Sequence, residues 1–100
     1  MKRVLITGSN RGIGFALARE SLARGDRVFA TCRHPDEAEE LHALATEHGN
    51  RITIQRLDVT DEETIDSAVE AVQAEEDGLD VLINNAGISP SGERLGRLDA

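Results

Sequence analysis

Tyrosine and tryptophan are absent from this 100-residue chain, phenylalanine occurs twice, and cysteine and methionine once each. A single cysteine excludes an internal disulfide framework and supplies too few thiols for a cysteine-based zinc site. Positive charge is also scarce. Eleven Lys and Arg against nineteen Asp and Glu give a formal charge of −8 and a pI near 4.7. Nucleic acid and anionic membranes need a net positive face, so this balance argues against them as partners. Long hydrophobic runs are missing as well: Met1, Lys2 and Arg3 are followed only by Val4-Leu5-Ile6 before Thr7-Gly8 breaks the run. A signal peptide needs an apolar core of roughly 7–15 residues and a membrane helix about 20. A cytoplasmic location is the default expectation. What is present, 39% hydrophobic and 30% charged residues, is the mix of a globular domain with one modest core.

Four short apolar runs recur about every 25 residues: Val4-Leu5-Ile6, Val28-Phe29-Ala30, Ile52-Thr53-Ile54 and Val81-Leu82-Ile83. They are rich in β-branched residues and bounded by Gly, Asp or Asn. Continuous rather than alternating hydrophobicity predicts strands buried on both faces, as in a parallel sheet covered by helices. The spacing leaves room for a crossover helix between each pair. The first helix is expected over 12–24, ended by Gly25, and the second over 35–49, opened by Pro35 and closed by Gly49. The third is expected over 61–76. Thr60 and Glu63 have capping-box spacing there, and Ile65, Ala68, Val69 and Val72 make one apolar face before Gly78. The order β-α-β-α-β-α-β is an α/β pattern, one half of a doubly wound Rossmann-type sheet plus the first strand of the other half. Residues 89–100 carry no strong pattern and read as loop.

Between the first strand and first helix stands Thr7-Gly8-Ser9-Asn10-Arg11-Gly12-Ile13-Gly14. A glycine there lets the chain turn sharply out of the strand. A second lets a pyrophosphate approach the backbone, and a third permits close helix–strand packing. Amides at the helix N-terminus then face an anion, with the helix dipole favouring it. The spacing Gly-x-x-x-Gly-x-Gly, with Leu57-Asp58-Val59 and Asn84-Asn85-Ala86-Gly87 following in register, resembles the short-chain dehydrogenase/reductase family over nearly the whole chain. The segment Ala30-Thr31-Cys32-Arg33-His34-Pro35 further resembles the C-factor and sniffer-like carbonyl reductases.

The resemblance implies a nicotinamide-dinucleotide site. Gly8, Gly12 and Gly14 would form the phosphate turn, with Ser9, Asn10 and Ile13 offering backbone or side-chain contacts. Asp58 would accept a hydrogen bond from the adenine amino group, and the Val59 backbone would contact the ring. Asn85, Ala86 and Gly87 would line the ribose, while Asn84 ties the central strands together. Asp58 serves equally well as a turn residue before a Thr60 cap, and the Asn-Asn-Ala-Gly run could be no more than a strand exit.

An NAD site generally places Asp or Glu at the end of the second strand, about 20 residues after the glycines. Here Thr31 and Cys32 are neutral, and Arg33 follows 19 positions after Gly14, with Arg11 inside the glycine turn. Guanidinium groups bind phosphate through paired hydrogen bonds, whereas a carboxylate would repel it. The two arginines therefore favour NADP over NAD. Asp36 and Glu37 close by are the contrary signal, though both suit the first turn of a helix. His34, His42 and His48 have no metal-ligand spacing and are assigned to the surface.

The family transfers hydride between a nicotinamide and a small carbonyl or alcohol, with a Tyr in Tyr-x-x-x-Lys as proton donor, its phenol pKa lowered by nearby positive charge. This chain has no Tyr, and Lys2 is its only Lys. The expectation is an N-terminal, cofactor-binding part of a longer homo-oligomeric reductase, inactive alone. Its fourth strand would lack a neighbour, leaving an apolar edge prone to self-association. Two other readings stand beside it. One is an NADP-binding sensor or regulatory module without turnover. The other, a Rossmann-like methyltransferase, is disfavoured because no acidic residue ends the second strand to hold its cofactor ribose.

Overall fold

Among the described residues, Arg3–Ile6 (β1), Arg27–Cys32 (β2), Ile52–Arg56 (β3) and Val81–Ile83 (β4) form one parallel sheet in the order β3-β2-β1-β4. The computed structural model describes residues 1–75 and 78–85. The helices are α1 (Gly12–Ala23), α2 (Glu39–His48) and α3 (Glu62–Gln73). Each expected strand forms, extended at most by a few residues. β1 pairs with β2 from Arg3 opposite Arg27 to Ile6 opposite Ala30. On its other side it pairs with β4, Val4 opposite Val81 to Ile6 opposite Ile83.

Alternate residues of the central strands feed two cores, which is why their runs are apolar without interruption. Val4, Ile6, Val28 and Ala30 pack with Ala18 and Leu22 of α1 and with Leu41 and Leu44 of α2. Leu5 and Phe29 point the other way and pack with Ile65, Ala68 and Val72 of α3. Helices therefore cover both faces, the arrangement that a parallel sheet requires. The chain returns next to β1 on the side opposite β2, so the connections diverge between β1 and β4. In open α/β sheets ligands bind outside the carboxyl ends of the strands at such a point.

Two helix starts differ from the sequence expectation. The expected helix over 35–49 is instead a 3₁₀ turn at Pro35–Glu37 followed by α2 at Glu39–His48. The Pro35 carbonyl accepts from the Ala38 amide at 3.1 Å and from the His42 ring nitrogen Nε2 at 2.8 Å, and both compete with a regular i→i+4 bond. The cap of α3 is Asp61, whose side chain accepts from the Glu63 amide; Thr60 is not the cap. Its hydroxyl and amide both donate to Asp58 Oδ1, at 2.7 and 2.9 Å, which holds Thr60 in a turn before the helix.

The opposite end of the sheet, where the strands begin, is fastened by Arg27. Its guanidinium donates to Glu75, the Val28 and Arg51 carbonyls and the Thr53 hydroxyl, and lies 4.3 Å from the centroid of Phe29. This joins β2, β3 and the C-terminal end of α3.

Candidate dinucleotide site

At the carboxyl ends of the strands lies a cleft of about 920 Å³. One wall is the β1–α1 turn, with Gly8, Asn10, Arg11, Gly12 and Ile13. The second is the exit from β2, with Cys32, Arg33, His34 and Glu37. The third is the exit from β3, with Leu57, Asp58, Val59 and Thr60, and Asn85 closes the side next to β4.

The glycines of the turn act for different physical reasons. Gly8 and Gly12 have φ of 64° and 60°, in the left-handed region where a side chain is strained. Gly14 is a matter of space: a Cβ there would overlap the Gly8 carbonyl and stand 2.7 Å from Asn85 Nδ2. Gly14 does not line the cleft; it lets α1 start directly against the end of β1. Ser9 is turned inward and fully buried. Its hydroxyl donates to the Ile6 carbonyl at 2.6 Å and its amide to the Thr31 carbonyl at 2.9 Å. Its hydroxyl and amide thus brace the strand ends, and Ser9 does not line the cleft. Ile13 is apolar yet 72% exposed on the cleft wall.

Helix α1 begins without a capping side chain and without an acidic residue in its first turn. Helices α2 and α3 both carry two glutamates there. Orphan amides at a helix start are normally met by a cap, water or a ligand, and the dipole favours an anion. Arg11 and Arg33, both exposed, stand on two walls of this cleft. Neither guanidinium has an ion-pair or hydrogen-bond partner among the described residues. Of the two acidic residues noted as contrary signals, Glu37 lines the cleft and Asp36 does not.

Asp58 takes one of the two roles that its sequence context left open, that of a turn residue. Oδ1 holds the Thr60 turn, and the Asp58 amide donates to Thr64 Oγ1 at 2.8 Å, while the residue also lines the cleft. The Thr60 hydrogen bonds hold its carboxyl below the usual carboxylate range, with a smaller contribution from the positive charges of Arg33 and Arg56. Asn85 Nδ2 donates to the Gly8 carbonyl at 3.3 Å, and Thr7 Oγ1 donates to Asn84 Oδ1 at 3.2 Å. The two asparagines thus tie β4 to the glycine turn. Ala86 and Gly87 lie outside the described residues.

Sequence reasoning passed over His34, Glu37, Leu57 and Thr60 as cleft residues. Each adjoins a recognised position, and only the fold shows that the exits of β2 and β3 face one space. Burial pushes the Cys32 thiol up, making it a wall residue rather than a nucleophile. Among the described residues no group of three or more His, Cys, Asp or Glu could hold a metal ion, and no helix is long and apolar enough to cross a membrane.

The chain resembles known proteins throughout its length. It is 42% identical over 91 residues to an uncharacterized oxidoreductase of Schizosaccharomyces pombe, covering 90% of this chain and 36% of that protein. It therefore spans about a third of that relative. Its structure superposes on an NADPH-bound carbonyl reductase from chicken fatty liver with a TM-score of 0.85 and 34% identity, over 98% of this chain and 46% of the other. A carbonyl reductase of Pseudomonas aeruginosa in complex with NADP gives 0.82 and 29%, over 98% and 54%. The family described as short chain dehydrogenase matches residues 2–98. With the parallel sheet, the glycine turn and the strand exits all in register, the chain belongs to the short-chain dehydrogenase family of oxidoreductases.

Proposed function

We propose that this chain is the NADP-binding part of a reductase that, at full length, converts small carbonyl compounds to alcohols or the reverse. The observation that carries the reading is the pairing of an uncapped, acid-free helix start at α1 with two exposed guanidiniums, Arg11 and Arg33, that make no hydrogen bond or ion pair among the described residues and stand on the walls of the same cleft. In an acidic chain of formal charge −8, that is a local site for an anion. The residues suit the cofactor in kind. Amides around Gly12 would receive the pyrophosphate, Arg11 and Arg33 the 2′-phosphate, Asp58 the adenine amino group and Val59 the ring. Asn10 and Ile13 would flank the phosphate turn. Asn85 would meet the ribose, together with Ala86 and Gly87.

When bound, NADPH supplies a hydride to the carbonyl carbon of a substrate. This chain's residues bind and orient; with no tyrosine and Lys2 as its only lysine, a reductase of this family would draw its proton donor from further sequence. Both solved neighbours described above carry the phosphorylated cofactor, and that supports NADP over NAD here. The reading keeps the cytoplasmic location and small-molecule partner expected from the sequence, and a homo-oligomeric full-length enzyme.

The test is titration of the full-length protein with NADPH, NADH and S-adenosylmethionine, followed by assay on simple aldehydes and ketones. Tight NADPH binding with carbonyl-dependent oxidation supports the reading. Binding without turnover identifies a sensor, and binding of S-adenosylmethionine alone a methyltransferase.

A further inference from the structure

β2 and β3 run in register to their last residues, Cys32 opposite Arg56, and the Leu57 amide adds one more bond to the Cys32 carbonyl at 2.9 Å. Beyond that the strands part. The Arg33 carbonyl is the first group past the ladder, and the side chain of Arg56 reaches it: Nε donates to the Arg33 carbonyl at 3.3 Å. The residue that ends β3 thereby clamps the peptide that carries Arg33. Arg56 is exposed and is not part of the cleft wall, so any influence on a ligand there passes through Arg33. Charge agrees with the geometry, since Arg33 and Arg56 both act on the carboxylate of Asp58.

An exposed arginine loses rotamer freedom when its side chain is fixed. A mobile backbone beneath it adds to that loss, and a clamped carbonyl removes the addition. We infer that Arg56 is a positioning residue for cofactor choice: by holding the Arg33 carbonyl it keeps the Arg33 guanidinium aimed at the 2′-phosphate, setting the preference for the phosphorylated dinucleotide. This rests on the NADP reading above.

The experiment is fluorescence titration of NADPH and NADH into the full-length protein as wild type, Arg33→Ala, Arg56→Ala and the double variant. Arg56→Ala is expected to weaken NADPH about fivefold, the scale of one charge-assisted hydrogen bond near the surface, and NADH less than about twofold. In the Arg33→Ala background the second substitution is expected to add less than about twofold, because residues acting through one another are not additive. Equal weakening of both dinucleotides would mean that Arg56 only holds the loop, and would overturn the inference. A full effect persisting without Arg33 would overturn it too, by making Arg56 a direct phosphate contact. If Arg33→Ala erases the preference and Arg56→Ala leaves it intact, this inference alone falls. If the wild type does not prefer NADPH, the NADP reading falls and takes this one with it.

Discussion

Gly14 packs against the Gly8 carbonyl so closely that a Cβ on Gly14 would overlap that oxygen. Alanine at position 14 must push the start of α1 away from β1, and overpacking of this kind costs about 1–3 kcal/mol. Gly12 is different: nothing lies within 4 Å of its Cβ position, and only its positive φ opposes a side chain, at about 1–2 kcal/mol. Gly14→Ala should abolish dinucleotide binding by displacing the amides, while Gly12→Ala should lower stability and weaken binding less. Urea denaturation and NADPH titration of both variants check this, and equal binding loss at the two positions contradicts it.

Arg11 and Arg33 approach the cleft from separate elements but would share one phosphate, so their contributions should couple rather than simply add. Each Arg→Ala change is expected to weaken NADPH about tenfold, or ~1.4 kcal/mol, with little effect on NADH. Raising salt should narrow the gap between the two dinucleotides, because the extra charges at issue are exposed and screened. Calorimetry at two ionic strengths reads both effects. An unchanged NADPH to NADH ratio in the double variant would remove the arginines from cofactor choice.

Asp58 links stability to acidity. Its carboxyl is held below the ordinary range by the Thr60 bonds, so the folded state binds this proton less readily than the unfolded chain. The stabilisation is therefore present above the unfolded value of about 4 and is lost as pH falls through the lower folded value. Asp58→Asn retains an oxygen acceptor for Thr60 but cannot titrate. Thermal melts of the two proteins should differ at neutral pH and converge in acid. A difference that stays constant down to pH ~2 would be inconsistent with this linkage.

Arg27 fastens the far end of the sheet without touching the cleft. Its side chain is 14% exposed and ion-paired to Glu75 at 3.0 Å. Arg27→Ala leaves the Thr53 hydroxyl and two carbonyls without this donor and uncovers Phe29. The expected cost is about 2–3 kcal/mol, with NADPH affinity unchanged wherever the protein remains folded. A loss of affinity larger than the loss of stability would show coupling between the two ends of the sheet.

β1 and β2 were legible because each is buried on both faces and so carries an unbroken apolar run; β3 and β4, only partly buried, were legible from short β-branched runs at the same spacing. Gly25 and Gly49 were legible as helix ends because both have positive φ and follow the last helical turn. Local competition hid the rest. Thr60 and Asp61 are both good capping residues, and Asp58 decided between them by drawing Thr60 into its own turn. Pro35 looks like a helix start, but its carbonyl is claimed by Ala38 and His42. Ser9 sits inside the phosphate motif, yet its polar groups are spent on Ile6 and Thr31. Such outcomes depend on partners distant in sequence, as with the cleft residues His34 and Glu37, which only the sheet order brings opposite the glycine turn.

Calorimetric titration of NADPH and NADH into the full-length protein at physiological salt bears most directly on all of this. An anion grip at the start of α1 with two selecting arginines predicts one site per chain and NADPH at least about tenfold tighter than NADH. Failure of both dinucleotides to bind a folded protein, or equal affinity for the two, would contradict it.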